Sequence, residues 1–225
     1  EEVDTISDPN LSVVSEYKYY DVGTYDYVAT KIITRHSDRP KDVVWGESGI
    51  SHKRLAPYGL QHPDFIYSDD KDLLIVEGEQ DVHTAFERGH QAVCLSHSAF
   101  TDYEDIVFEP LRRFRGRILI WTDHDATGEN HRKYIATKLY SLGHRNLHIV
   151  EWDEAPEKGD ITDAIELGVD IKPLLNNALA VTQTPLIELL ERIHSYITRY
   201  IAISAEGAII LALWAVHTYI WIKGA

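Results

Sequence analysis

Between residues 72 and 168, short apolar runs alternate with polar segments that have helical spacing. The runs LLIV (73–76), AVCLS (92–96) and RILIW (117–121) are typical of strands that are buried on both faces of a sheet. Strand–helix alternation over about a hundred residues predicts a parallel sheet, because helical crossovers join parallel strands. The alternation therefore limits the centre of this chain to an α/β fold.

Signals for helix starts and ends stand between these runs. Asp102 and Asp160 occupy N-cap positions, and Gly143 and Gly168 occupy positions where helices end. From these signals the sequence predicts helices over 79–88, 102–114, 128–142 and 160–167, and a further strand over 146–152.

The segments on either side of this core differ from it in residue composition and in the spacing of their apolar residues. Tyr17–Arg35 is rich in Tyr, Val, Ile and Thr, which predicts two or three antiparallel strands, and residues 36–70 are expected to be irregular. Residues 185–200 have the spacing of an amphipathic helix. The sequence therefore predicts three parts: a β-rich subdomain over 1–71, an α/β domain over 72–170, and a helical C-terminal segment over 171–225 that ends before a further module.

The last apolar stretch, residues 202–222, is nearly as long as a membrane span. Glu206 and His217 lie within it, and neither flank is strongly basic. We therefore predict a helix that is buried or that docks on a further module, with a membrane anchor as the less favoured alternative.

Composition narrows the class of protein. The formal net charge of −14 argues against a general nucleic-acid coat protein, although acids gathered around a metal would also make an enzyme negative. The one cysteine, Cys94, excludes an intrachain disulfide and a multi-cysteine zinc site, and its apolar neighbours predict a buried thiol. The N-terminus is polar and acidic, without a signal peptide, so we expect a cytoplasmic location.

Carboxylates follow two of the predicted strands directly. Glu77 comes after LLIV, and Asp123 and Asp125 come after RILIW. Because the carboxyl ends of parallel strands meet at one edge of a sheet, these acids are expected to converge there. Carboxylates at such close range repel one another unless a cation neutralises them, and Mg²⁺ is a usual choice. Gly78 and Gly128 suit the tight turns that follow the two strands.

The order of these motifs resembles the Toprim domain. The matching segments are VEGEQD (76–81), LSHSAF (95–100), TDHDATG (122–128) and KGDITDAI (158–165), and the resemblance covers roughly residues 72–168. Within that group the chain is most similar to DNA primases of phage and mobile-element type, the primase part of primase-helicases.

The resemblance implies a role for each matching residue. It implies that Glu77, Asp123 and Asp125 are catalytic and that they bind Mg²⁺ or Mn²⁺ together with Asp160. Gly78, Asp81, Gly128 and Asp163 would support the motifs, and Asp81 or Asp160 would alternatively hold a second ion.

The activity that the resemblance implies is synthesis of short RNA primers on single-stranded DNA, in which a ribonucleotide 3′-hydroxyl attacks a nucleoside triphosphate. A helicase module or another replication protein is an implied partner, although the chain contains no P-loop. The basic residues expected to guide the template are Arg112, Arg113, Arg115, Arg132 and Lys133. A solvated helix end explains the cluster RRFRGR (112–117) equally well, because cations are favoured at the C-terminus of a helix.

Two other functions stay open at this stage. A Toprim nuclease would use the same acids with water as the nucleophile. A non-catalytic Toprim protein would bind nucleic acid without making a product, although it has no need for three acids that repel one another.

Overall fold

The N-terminal part of the chain forms a three-stranded antiparallel sheet. The computed structural model describes residues 13–36, 40–68, 70–99, 102–182, 186–200 and 204–224. The strands of this sheet are β1 (Val13–Tyr20), β2 (Tyr27–Arg35) and β3 (Asp42–Trp45), with β2 in the middle. The antiparallel strands predicted within Tyr17–Arg35 are confirmed, whereas β3 lies in a segment that was wrongly expected to be irregular.

The α/β core is a five-stranded sheet. Its strands are β4 (Leu73–Val76), β5 (Gln91–Cys94), β6 (Ile118–Ile120), β7 (Leu147–Ile149) and β8 (Leu179–Ala180), hydrogen-bonded in the order β5-β4-β6-β7-β8. Three pairings are parallel, as predicted, and only β7 with β8 is antiparallel. The strand order brings the ends of β4 and β6, which carry the predicted acids, next to each other.

In the described part of the chain, five α-helices belong to this core, together with two short 3-10 helices, His52–Arg54 and Asp105–Phe108. The α-helices are α1 (Glu79–Glu87), α2 (Glu109–Arg112), α3 (Ala126–Ser141), α4 (Ile161–Glu166) and α5 (Ile171–Asn176). Asp160 caps α4 as predicted, since its side chain accepts a hydrogen bond from the N–H of Asp163. Gly168 follows α4 with φ +75°, a left-handed conformation that glycine adopts without strain.

The helix predicted over 102–114 is wrong in its extent. The segment contains only the 3-10 helix Asp105–Phe108 and α2, because Pro110 has no N–H with which to continue an earlier helix. Asp102 does not cap a helix; its carboxylate forms an ion pair with Lys53, at 2.5 Å.

Apolar residues fill both faces of the α/β sheet. Leu73 and Ile75 of β4 pack into one cluster, and Leu74 and Val76 pack into the other. All four residues of β4 and of β5 are buried, which is the pattern expected of strands covered by helices on both sides. Cys94 is buried, as predicted.

The chain divides into two units, one ending at Val181 and one beginning at Thr182. The first unit holds both sheets, and the antiparallel strand β8 extends the larger sheet beyond residue 170. The three-part division over 1–71, 72–170 and 171–225 stays a prediction.

The residues that the structure describes in the second unit form a pair of helices, α6 (Leu186–Tyr200) and α7 (Ala205–Gly224), as predicted for this segment. Ile197, Ala208 and Ala212 are buried where the two helices pack together. Other apolar side chains of α7 are exposed, including Ile210 and Trp214. Among the helices that the structure describes, none is long and apolar enough to cross a membrane.

Candidate metal centre

The predicted acids lie at the carboxyl edge of the α/β sheet. Glu77 directly follows β4, and Asp123 lies three residues beyond the end of β6. Asp160 precedes α4, and Asp81 lies in the first turn of α1. Two strand ends and two helix starts therefore place carboxylates at one edge.

Three of these carboxylates form a cluster that could hold a metal ion. One oxygen each from Asp81, Asp123 and Asp160 lies within 4.8 Å of the others. Glu77 is adjacent to the cluster, and its Oε2 accepts a hydrogen bond of 3.2 Å from the backbone N–H of Asp123. Asp125 instead caps α3, because its side chain accepts a hydrogen bond of 2.8 Å from the N–H of Gly128. The geometry thus brings Asp81 into the group, while Asp125 sits beside it.

Asp81 is held firmly by hydrogen bonds. Its Oδ1 accepts a bond of 2.6 Å from the hydroxyl of Thr162, which lies on α4. Its Oδ2 accepts a bond of 3.1 Å from the N–H of Gly78. The bond from Thr162 joins the starts of α1 and α4, and together the two bonds orient the side chain of a residue that is only 4% exposed.

The loops that carry Asp123 and Asp160 are joined through their backbones. The N–H of His124 donates to the carbonyl of Gly159 at 3.0 Å, and the N–H of Lys158 donates to the carbonyl of His124 at 3.1 Å. Asp160 and Asp163 also cap each other, with bonds of 2.8 Å and 3.3 Å. The positions of both carboxylates are therefore set by backbone contacts.

Gly128 is required by a close approach of the chain to itself. A Cβ atom at this position would lie 2.1 Å from the carbonyl oxygen of Asp123. No side chain fits there without displacing the backbone of the loop. Gly78 has an ordinary extended conformation, and a Cβ there would lie 3.1 Å from Oδ2 of Asp81. Substitution of Gly78 by a larger residue therefore depends on whether the Asp81 side chain can move.

Burial and mutual repulsion raise the pKa values of these acids. Burial raises the pKa of Asp123 to about 7, and the neighbouring Glu77, Asp160 and Asp125 add to the effect. Burial, followed by the negative charge of Asp160, raises the pKa of Asp81. Burial is also the main reason that the pKa values of Glu77 and Asp160 are raised. A divalent cation bound to these oxygens would stabilise the charged forms, and an all-carboxylate donor set suits Mg²⁺ or Mn²⁺.

The acids form the floor of a cleft of about 770 Å³. The acid floor consists of Glu77, Asp81, Asp123 and Asp160. The opposite wall is the inner face of the N-terminal sheet, and its basic roof consists of Lys31 and Arg35 on β2 and Lys41 just before β3. The cleft therefore sets a group of cations against a candidate metal centre.

A buried ion pair joins the two walls. Nζ of Lys31 lies 2.6 Å from Oε1 of Glu79, whose side chain is 3% exposed. The hydroxyl of Tyr19 donates to the same oxygen at 2.6 Å, and Nζ of Lys31 also donates to the carbonyl of Ser96 at 3.2 Å. These contacts connect β1 and β2 to the start of α1, so they fix the width of the cleft.

The predicted template-binding cations lie outside this cleft. Arg112 pairs with Glu109 at 2.7 Å, and Arg113 and Arg115 are exposed. Arg132 and Lys133 pair with Glu129 on the exposed side of α3. Of these five cations, Arg132 lines a second cavity of about 270 Å³, which also borders Asp123 and Asp125.

Sequence reasoning overlooked the basic roof. A signal for it existed, because Lys31, Ile33 and Arg35 alternate along one strand and must share a face. Asp81 was assigned mainly a supporting role, although the structure places it in the acid cluster.

Solved structures of primase catalytic cores have the same fold as this chain. The primase fragment of the bacteriophage T7 primase-helicase protein is 18% identical, with a TM-score of 0.53 over 72% of this chain and 62% of that one. A DNA primase domain from Pseudomonas aeruginosa is 17% identical, with a TM-score of 0.54 over 88% of this chain and 59% of that one. The DnaG primase catalytic domain bound to ssDNA is 16% identical, with a TM-score of 0.54 over 82% of this chain and 57% of that one.

The chain spans less than two thirds of each of these three structures. No protein-family model matches the chain, and no curated protein sequence matches it either. At this level of identity the likeness establishes the fold. The resemblance to phage-type primases that the motifs indicated is confirmed at that level.

Proposed function

We propose that this chain is a DNA primase catalytic unit, a metal-dependent nucleotidyltransferase that synthesises short RNA primers on single-stranded DNA. The observation that carries the proposal is the cleft, in which the cluster of Asp81, Asp123 and Asp160 faces the cations Lys31 and Arg35. The fold of primase catalytic cores supports it.

Mg²⁺ or Mn²⁺ would be held by Asp81, Asp123 and Asp160, with Glu77 and Asp125 beside them. When bound, the ion would neutralise charge that develops on the transferred and leaving phosphate oxygens. The raised pKa values of these acids support this assignment, because carboxylates packed so closely gain most from a bound cation.

The chain's own cations would bind the nucleoside triphosphate. Arg35 and Lys41 line the wall that faces the acids, so a triphosphate in the cleft would contact them from the side opposite the metal, whereas Lys31 is held by Glu79. Guanidinium and ammonium groups are good donors to phosphate oxygens. Binding from both sides would fix the α-phosphate for in-line attack.

Glu77 is the candidate acceptor for the proton of the attacking 3′-hydroxyl. Burial raises its pKa, and hydrogen bonds from Ser98 and from the backbone N–H of Asp123 partly oppose that rise. A carboxylate with a pKa closer to neutral is a better general base at physiological pH than an exposed one.

We further propose that the template strand follows the exposed cations Arg113 and Arg115, with weaker contributions from Arg112, Arg132 and Lys133, which have acidic partners. A helicase module or another replication protein is the proposed partner of the chain. The T7 structure, whose protein is a primase-helicase, supports this choice.

The test is an incubation of the chain with single-stranded DNA, labelled ribonucleotides and Mg²⁺ or Mn²⁺. We expect short labelled products that are absent for the double variant Asp123→Asn/Asp125→Asn and for Asp81→Asn. Asp64→Asn is the matched control, because this carboxylate is exposed and does not line the cleft. Template shortening without nucleotide incorporation would instead establish a nuclease, and binding without either product would refute both activities.

A further inference from the structure

An apolar strip runs through the otherwise charged roof of the cleft. Trp45 and Val43 lie on β3, and their side chains line the cleft together with the acid floor. The register of the sheet pairs Trp45 with Lys31 and Val43 with Ile33. Because alternate residues of a strand share a face, the indole and the isopropyl group stand next to the roof cations on one surface.

The indole of Trp45 is held in place by rings that meet it at steep angles. The ring of Tyr19 lies 5.3 Å away with an interplanar angle of 55°, and the ring of His52 lies 5.0 Å away at 73°. Both contacts are tilted or edge-to-face rather than parallel, and the indole also packs against the core cluster of the N-terminal sheet, so its orientation is fixed while part of it borders the cleft. Trp45 is half-buried, and Val43 is 47% exposed.

We infer that Trp45, with Val43 beside it, is the surface on which a nucleobase stacks inside the cleft. The inference rests on the proposed function and names a binding residue within it. Sites for single-stranded nucleic acid combine cations that contact phosphates with aromatic rings that contact bases. Here Trp45 lines the same cleft as the cations Arg35 and Lys41, so a nucleotide whose phosphates contact these cations would place its base in the space that the indole borders.

The base has two possible sources, the template strand and the incoming nucleotide, and two probes distinguish them. The first probe is a fluorescent single-stranded oligonucleotide, compared with an abasic strand of the same length. The second is ATP, compared with ribose 5-triphosphate. Dissociation constants are measured for the full chain and for Trp45→Leu and Trp45→Phe. Leucine keeps an apolar side chain at this position without an aromatic face, and phenylalanine keeps the face.

We expect Trp45→Leu to raise the dissociation constant of one of the two base-containing probes by about tenfold. Trp45→Phe should raise the same constant by about twofold. The probes without bases should bind all variants alike, and the salt dependence of binding should not change. Val43→Ala should weaken binding slightly. Val44→Ala is its matched control, because Val44 is the next residue of the same strand, is 57% exposed and does not line the cleft.

Equal binding by Trp45→Leu and the unchanged chain would overturn the inference, and so would an equal loss for probes without bases. Primer synthesis by the unchanged chain, measured in parallel, separates this result from the proposed function. Primer synthesis with no effect at Trp45 would refute the stacking surface alone. A stacking effect at Trp45 without primer synthesis would support the surface and refute the polymerase.

Discussion

The two walls of the cleft carry opposite charge and differ in how they hold it. The acid floor is built from strand ends and helix starts, and backbone contacts fix its carboxylates. The basic roof belongs to the antiparallel N-terminal sheet, with Lys31 and Arg35 on β2 and the exposed Lys41 just before β3. A rigid site suits an ion with a demanding geometry, whereas long side chains can follow a triphosphate that changes shape. The comparison predicts that changes to the floor abolish chemistry and that changes to the roof weaken binding.

The largest effect is expected at the floor. The double variant Asp123→Asn/Asp160→Asn should lower the primer synthesis rate by about a thousandfold, because several kcal/mol of charge stabilisation by the metal would be lost. Product formation with saturating nucleotide measures this. The variant should still bind nucleotide through the roof. Retention of more than a tenth of the activity would show that these two carboxylates do not hold the catalytic metal.

The link between the walls should affect folding next most strongly. Glu79→Gln leaves the ammonium of Lys31 without a charged partner, although the Lys31 side chain is only 14% exposed. Breaking a buried pair in this way should lower the free energy of unfolding by about 3 kcal/mol, measured by urea denaturation. Tyr19→Phe removes one hydrogen bond to the same carboxylate and should cost about 1 kcal/mol. If Glu79→Gln unfolds at the same urea concentration as the original chain, the ion pair does not stabilise the packing of the two walls.

The floor could largely be predicted from the sequence because its signals are local. LLIV is short, wholly apolar and followed at once by Glu77, and Asp160 has the pattern of a capping box with Asp163. The place of Asp81 in the cluster was harder to predict, since it depends on the hydroxyl of Thr162, 81 residues away.

The shared face of Lys31 and Arg35 could be predicted from their alternation along one strand, but the position of that face over the acids could not, because it depends on contacts between distant parts of the chain. Lys31 and Glu79 are 48 residues apart, and nothing local to either indicates that the N-terminal sheet covers the acid edge. Two short strands were also not predicted, because β3 has four residues and β8 has two, which are too few to show a periodic pattern.

Roof variants should weaken nucleotide binding without affecting the metal. Arg35→Ala and Lys41→Ala are each expected to raise the KM for nucleoside triphosphate by about tenfold, because each removes a charge that is proposed to contact phosphate. The affinity for Mn²⁺ alone should be unchanged, as measured by titration calorimetry. Lys18→Ala is the matched control, since this lysine lies on β1 of the same sheet but is exposed and does not line the cleft. A similar rise in KM for Lys18→Ala would mean that net charge, not position, sets nucleotide affinity.

The smallest expected effect is on the pH dependence of unfolding. It distinguishes the floor from the roof, because the buried carboxylates of the floor repel one another when they are charged. The pKa of Asp123 is raised to about 7 in the folded chain, from an ordinary value of 3.8. The stabilising contribution of the protonated group is therefore complete below the ordinary pKa and is lost as pH rises through about 7. Without metal, Asp123→Asn should thus be more stable than the original chain near pH 8, by about 1 kcal/mol after allowance for solvent exposure, and no more stable at acidic pH.

Added Mg²⁺ should reverse this order near pH 8, because it stabilises the charged cluster of the original chain and binds the variant weakly. Thermal unfolding at both pH values, with and without Mg²⁺, measures the difference. Comparing the two chains at each pH cancels the contribution of the buried histidines, such as His131, whose pKa burial lowers to about 4. A pH-independent difference between the two chains would show that Asp123 is charged throughout this range. Another carboxylate of the floor would then be the one that is protonated near neutral pH, and Asp81 would be the next to replace.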